Sequence, residues 1–146
     1  LYSSAASDVY KRQREYYFDS RKEGRQRTDE EHYTELEKLA DGLHISAVIV
    51  DPSAASFIEV IRRHGRFRVE KASNAVIDGI RNVATRLQCG DIFICDCCAD
   101  CIREFGMYRW DEKALMDKPI KENDHSMDDV RYFVHKVFAP ELFSFK

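Results

Sequence analysis

Several things are missing from this sequence, and each absence closes off a class of function. No apolar run approaches the ~20 residues that a membrane-spanning helix needs, so the chain is expected to have no membrane partner. No basic segment leads into an apolar one at the N-terminus, so a secretory signal has no support. Excess positive charge is missing too: 23 Lys and Arg stand against 26 Asp and Glu, a net charge of -3. A protein that coats nucleic acid through charge alone is usually basic. A nuclease escapes that objection, because its carboxylates hold cations and the cations meet the phosphates. A disulfide framework is also lacking. The five cysteines (Cys89, Cys95, Cys97, Cys98 and Cys101) are odd in number and crowded together, which fits a reducing cytosol. The chain has no internal repeat.

What is present is the composition of a soluble globular domain. Across 146 residues, 44% are hydrophobic and 34% charged, enough for one domain with a real core. Residues 1–13 carry no periodic apolar pattern. They resemble translated adaptor sequence at the edge of an open reading frame and are expected to lie outside the fold, which leaves residues 14–146 as the domain.

From residue 14 onward the pattern alternates between strand and helix signals. Glu15 to Phe18 is aromatic-rich and reads as a strand. Thr28 with Glu31 makes a capping box that opens a helix, with Tyr33, Leu36 and Ala40 as its buried stripe and Gly42 beyond its end. Ser46 to Val50 is a near-continuous apolar run, the signature of a central strand buried on both faces. Ser53 can cap a helix carrying Phe57, Ile58 and Ile61. Phe67 to Val69 reads as a strand, and Asn74 to Gln88 as a helix with Val76, Ile77, Ile80, Val83, Ala84 and Leu87 inward. Asp91 to Cys95 is a strand. Ala99 to Tyr108 is a helix with Ile102 and Phe105 inward. A mixed-charge loop from Trp110 to Asp124 leads to a last helix, Ser126 to Phe138, with Met127, Val130, Val134 and Val137 on one face. Strands alternating with helices predict the α/β class, with helices packed on a sheet.

Three places hold residues that can do chemistry. Asp51 ends the Ser46–Val50 strand, where α/β sheets place their ligands, although an Asp there equally well caps the following helix. Asn123 to Asp129 packs Asp124, His125, Asp128 and Asp129 into one loop-to-helix junction. His125 and Asp128 are three residues apart and can project from one side of the helix start. Carboxylate oxygens suit Mg²⁺ and Mn²⁺, and Mn²⁺ tolerates a histidine. Acidic residues in a first helical turn also suit the helix dipole without any metal, and that bland reading fits Asp124 and Asp129. Third, Cys98 and Cys101 form a CxxC, but a zinc site usually needs a second pair or spaced histidines. Reduced thiols at a strand-to-helix junction are the simpler reading. A basic patch of Arg62, Arg63, His64, Arg66 and Arg68, with Lys71 beyond, and the tract from Lys113 to Lys121 offer charge to DNA phosphates. A solvated helix end explains the patch equally well.

Several ordered blocks resemble phage terminase large subunits of the PBSX type. They are Ile49-Val50-Asp51-Pro52-Ser53-Ala54-Ala55-Ser56-Phe57, Ile61-Arg62-Arg63-His64-Gly65, Asn74 to Ile80 (NAVIDGI), Trp110 to Ala114 (WDEKA), and Lys118 to Asp128 (KPIKENDHSMD) followed by Arg131-Tyr132. Several blocks in order are far more specific than one short motif. The resemblance implies an RNase H-like fold, a central mixed sheet flanked by helices. It implies a metal-dependent endonuclease that cuts concatemeric viral DNA during packaging. Three acidic positions would hold two Mg²⁺ or Mn²⁺ ions: Asp51 matches the second and Asp128 the third, with His125 beside it. The first would sit on an opening strand that this chain lacks, and the ATPase domain would lie further upstream. The implied partners are double-stranded DNA, a terminase small subunit and a portal protein, in the bacterial host cytoplasm. Arg62, Arg63 and Lys121 are the candidates for DNA contact. Two other readings stay open: a different RNase H-like nuclease such as a resolvase, and a non-catalytic zinc- or DNA-binding module.

Overall fold

Thr28 opens the first long helix as the capping-box pattern requires. Its hydroxyl accepts from the Glu31 N–H while the Glu31 carboxylate accepts from the Thr28 N–H, so two otherwise orphan donors are satisfied. The computed structural model describes residues 2–4 and 9–142, and the chain divides into two compact units, Arg14–Ala72 and Tyr2–Gln13 with Ser73–Lys146.

The first unit holds the short helix α1 (Ser20–Glu23), α2 (Asp29–Leu39), α3 (Ala55–His64) and the strands β3 (Val48–Val50) and β4 (Val69–Lys71). The strands pair in parallel, Val48 with Val69 and Val50 with Lys71, a pairing that needs a crossover, here α3. Tyr33, Ala40, Val50, Ile58, Val60, Ile61 and Phe67 form its core. Tyr33 and Ala40 of the expected α2 stripe are buried, and Leu36 packs against them. At the far end of α3, Tyr33 stacks on the His64 ring at 3.9 Å between centroids, and Glu30 accepts from both Arg63 and His64. Those two donors, the histidine first, hold the Glu30 carboxyl below its usual range.

The second unit contains β1 (Tyr2–Ser4), β2 (Tyr10–Arg12), α4 (Val76–Gln88), β5 (Ile92–Ile94), α5 (Ala99–Met107) and α6 (His125–Leu142). β2 is the middle strand of a three-stranded sheet, antiparallel to β1 and parallel to β5, with Arg12 opposite Ile94. α4, α5 and α6 supply most of the core: Val83, Cys98, Cys101, Met127, Val130, Val134 and Phe138, together with Ile92 of β5. The face expected on α6 is the one buried.

The α/β class therefore holds, but the described strands fall into two small sheets, one in each unit. β3 has one hydrogen-bonded neighbour among the described residues, and Val48 and Ile49 remain half-buried. Glu15 to Phe18 has no regular structure. The strand lies instead at Tyr10–Arg12, inside the segment whose pattern gave no signal, because three residues are too few to show a period. On α5 the expected inward Ile102 is 48% exposed, and Cys101 and Glu104 are buried in its place. No described helix is long and apolar enough to cross a membrane.

The strand at Tyr10–Arg12 makes the domain boundary testable. The Tyr10 ring meets those of Phe133 and Phe138 edge-on at 5.5 and 5.4 Å, and buried Arg12 pairs with Asp129. Edge-on aromatic pairs add to the area they bury. Deleting residues 1–13 is expected to destabilise the second unit by about 2 kcal/mol in urea unfolding. An unchanged midpoint would put the boundary at residue 14, as the sequence pattern does.

Candidate functional site

Asp51 follows β3 directly. Its Oδ1 accepts from the Ser53 N–H at 2.8 Å, and its carbonyl accepts from the Ala54 N–H at 3.0 Å. The residue thus closes a tight turn and does not cap α3. The N-cap of α3 is Ala54, with no side-chain cap, so the cap expected from Ser53 is not formed. A carboxylate tied down by one backbone N–H at a strand end is an oriented acceptor.

Arg62 and Arg63 lie in the last turn of α3, about 10–12 Å along the helix from its first residue, Ala55, at 1.5 Å per residue. Each cation of the patch has a carboxylate beside it: Arg62 with Glu59, Arg63 and His64 with Glu30, Arg66 with Glu37, Arg68 with Glu70. Exposed pairs of this kind contribute roughly 0–1 kcal/mol each, so a phosphate competes for such an arginine on near-equal terms.

The second unit contains Lys121, His125 and Asp128. Lys121 is exposed, with Asp124 Oδ2 3.9 Å away. His125 is the first residue of α6 and faces solvent, Asp128 is half-buried one turn on, and the Asp128 N–H donates to the Asp124 carbonyl at 2.8 Å. The three aspartates here have three different jobs. Asp124 closes the first turn through its backbone. Asp129 pairs with Arg12. Asp128 Oδ1 accepts from Arg131 Nη2 at 2.8 Å. Among the described residues its Oδ2 takes no hydrogen bond. Tyr108, just beyond α5, is half-buried. Burial first, and then the Asp128 charge, push its hydroxyl pKa up, against the opposing influence of Arg131.

Three residues that pattern reading passed over shape this helix start. Arg131 is 3% exposed and also donates Nη1 to the Ala75 carbonyl at 3.2 Å. Gly79 faces it from α4, where a Cβ would come within 2.6 Å of Arg131 Cγ. Glu104, fully buried on α5, accepts from the Ser126 N–H at 2.6 Å. The i, i+3 spacing of Asp128 and Arg131 was the available signal for the first. A glycine and a glutamate in helix interiors give none.

Cys98 and Cys101 are buried, while Cys89 and Cys97 are exposed. The Cys97 and Cys98 thiols lie 3.1 and 3.5 Å from the Gln13 and Arg12 carbonyls, as weak donors. Among the described residues no three of His, Cys, Asp and Glu gather as a metal site requires. His125 and Asp128 share one turn of α6, whereas Asp51 belongs to the other unit.

No protein-family model matches the sequence. The terminase large subunit of Escherichia phage T5 is 24% identical over 128 residues, 84% of this chain and 29% of its own length. The large terminase of a thermophilic bacteriophage, in a crystal structure with ADP, superposes with a TM-score of 0.88 at 46% identity, over 96% of this chain and 35% of that one. A second crystal structure of that protein gives 0.87 at 46% identity, over 92% of this chain and 35% of that one. The class of protein that fold and sequence define is the phage large terminase. This chain corresponds to a segment of the terminase large subunit, spanning about a third of the length of the proteins it matches.

Proposed function

We propose that this chain is the nuclease portion of a PBSX-type terminase large subunit, RNase H-like in fold, and that the intact subunit uses it to cleave concatemeric viral DNA during packaging. The observation that carries the reading is the 46% identity to a large terminase over 96% of the chain. The blocks around Asp51 and Asp128 support the nuclease assignment. Its partners would be double-stranded DNA, the small subunit and the portal, in the host cytoplasm.

The donor set fits Mg²⁺ or Mn²⁺ in kind: two carboxylates and an imidazole, hard oxygen with one nitrogen. Asp51, Asp128 and His125 would hold the ions, with a further carboxylate from an upstream strand completing the set. Bound there, a pair of such ions activates water and offsets charge on the departing 3′ oxygen. The chain's own contribution is orientation. The Ser53 N–H donates to Asp51 and Arg131 donates to one Asp128 oxygen; the other Asp128 oxygen would take the cation. His125, exposed at the start of α6, would take a nitrogen-ligand position or orient a water. Arg62, Arg63 and Lys121 would meet phosphates, which position DNA without reading its sequence.

The test is cleavage of supercoiled plasmid by a chimera in which this chain replaces the matching segment of the thermophilic phage terminase. Nicking and linearisation in Mn²⁺, abolished by EDTA, are expected. A chimera that binds ADP as the parent does but never cuts in Mg²⁺ or Mn²⁺ overturns the nuclease reading. Stoichiometric zinc on the purified chain would then favour the binding-module alternative.

A further inference from the structure

Arg131 is an expensive residue to place where it is. A buried guanidinium gives up its hydration, and among the described residues its buried Nε has no hydrogen-bond partner. Buried ion pairs are weak devices for stability, since apolar side chains of similar size often serve as well. The helix opposite also makes a concession. Gly79 sits inside α4, where alanine is the better helix former, and any Cβ there would meet Arg131 Cγ at 2.6 Å and Cδ at 2.7 Å. Through that gap the guanidinium reaches two acceptors, the Ala75 carbonyl at the start of α4 and Asp128 Oδ1 on α6. The guanidinium carbon lies over the Tyr132 ring, 4.9 Å from its centroid. One planar, five-donor group therefore ties the Asp128 carboxylate to two helices at once. A lysine, a single point of charge, lacks that forked geometry.

We infer that Arg131, admitted by the missing side chain at Gly79, is the positioning residue that presets Asp128 for a divalent cation. The inference rests on the nuclease reading and deepens it. A group that orients a ligand from behind typically changes metal affinity by about 10–100-fold. Neither Gly79 nor Arg131 needs to touch the cation for this.

The experiment is Mn²⁺ binding, without nucleotide, to the chimera that carries this chain in place of the matching terminase segment and so supplies the upstream carboxylate, followed by the electron paramagnetic resonance signal of free Mn²⁺. Crystal structures of the variants are the second readout. Arg131→Gln is expected to weaken binding by about tenfold and to leave Asp128 spread over rotamers. Gly79→Ala removes no polar group and should weaken binding in the same direction by pushing Arg131 out. Should Gly79→Ala fold poorly, the double variant Gly79→Ala/Arg131→Ser gives the added methyl room. It is expected to melt cooperatively yet bind Mn²⁺ weakly, with low millimolar guanidinium restoring affinity. A merely structural Arg131 would show no such rescue. If Asp128→Asn weakens binding but Arg131→Gln does not, the positioning role is overturned and the nuclease reading stands. If the unsubstituted chimera binds no Mn²⁺, or Asp128→Asn leaves its affinity unchanged, the metal reading itself fails and the inference falls with it.

Discussion

Asp128→Asn is expected to lower plasmid cleavage by the chimera by about two orders of magnitude or more, with little change in stability. Groups standing behind a ligand already cost up to ~100-fold when removed, and loss of a charged ligand sets a higher floor. Asparagine is the informative substitution, because its carbonyl oxygen still accepts from Arg131 Nη2, where Asp128 Oδ1 now accepts at 2.8 Å. Alanine would leave a nearly buried guanidinium unpaired and unsettle the fold, which confuses catalysis with stability. The neighbouring carboxylate is the control. Asp129→Asn weakens the pairing with Arg12, whose side chain is 5% exposed, so it should lower the unfolding midpoint while leaving cleavage per folded molecule close to that of the parent. If the two substitutions reduce cutting equally, Asp128 has no special place in the reaction.

The contrast between Asp128 and Asp129 marks where the sequence was readable and where it was not. Helices with a long period and a chemical start signal were legible. The Thr28–Glu31 box opens α2 where expected, and α6 buries Met127, Val130 and Val134 as its spacing demands. Short strands were legible where they are apolar on both faces, and the Phe67–Val69 reading meets β4 (Val69–Lys71) only at Val69. Val48–Val50 and Ile92–Ile94 were found, whereas Tyr10–Arg12 carries two cations and alternates nothing. The Ile102 reading failed on α5 because its buried face is made of Cys101 and Glu104, and a hydrophobic count does not register a carboxylate in a core. The candidate acids themselves were visible from position, Asp51 at a strand end and Asp128 in a first turn. What each carboxylate leans on was not, since Arg131 reaches across to Ala75 and Gly79 on a helix some fifty residues earlier in the chain.

Substituting Glu104 should give the largest loss of stability in the second unit. The side chain is fully buried and its Oε2 accepts from the Ser126 N–H at 2.6 Å. That N–H is one of the orphan donors at the start of α6, since no carbonyl of the helix lies four residues before it. A carboxylate there also meets the positive end of the helix dipole. Glu104→Ala leaves both a void and an unsatisfied donor, which together cost about 3–4 kcal/mol. The size of the void and the loss of the acceptor separate in two further variants. Glu104→Met fills the space but cannot accept, with an expected cost of about 2 kcal/mol. Glu104→Gln fills the space and still accepts, giving up only the charge, at about 1 kcal/mol. Urea unfolding of the three should therefore rank them Gln, Met, Ala in order of increasing damage. A Met variant as stable as the parent would mean that the Ser126 N–H finds another partner and that Glu104 is only filling volume. The expected ranking would show instead that Glu104 fixes the residue at which α6 begins, and with it the direction in which His125 and Asp128 leave the helix.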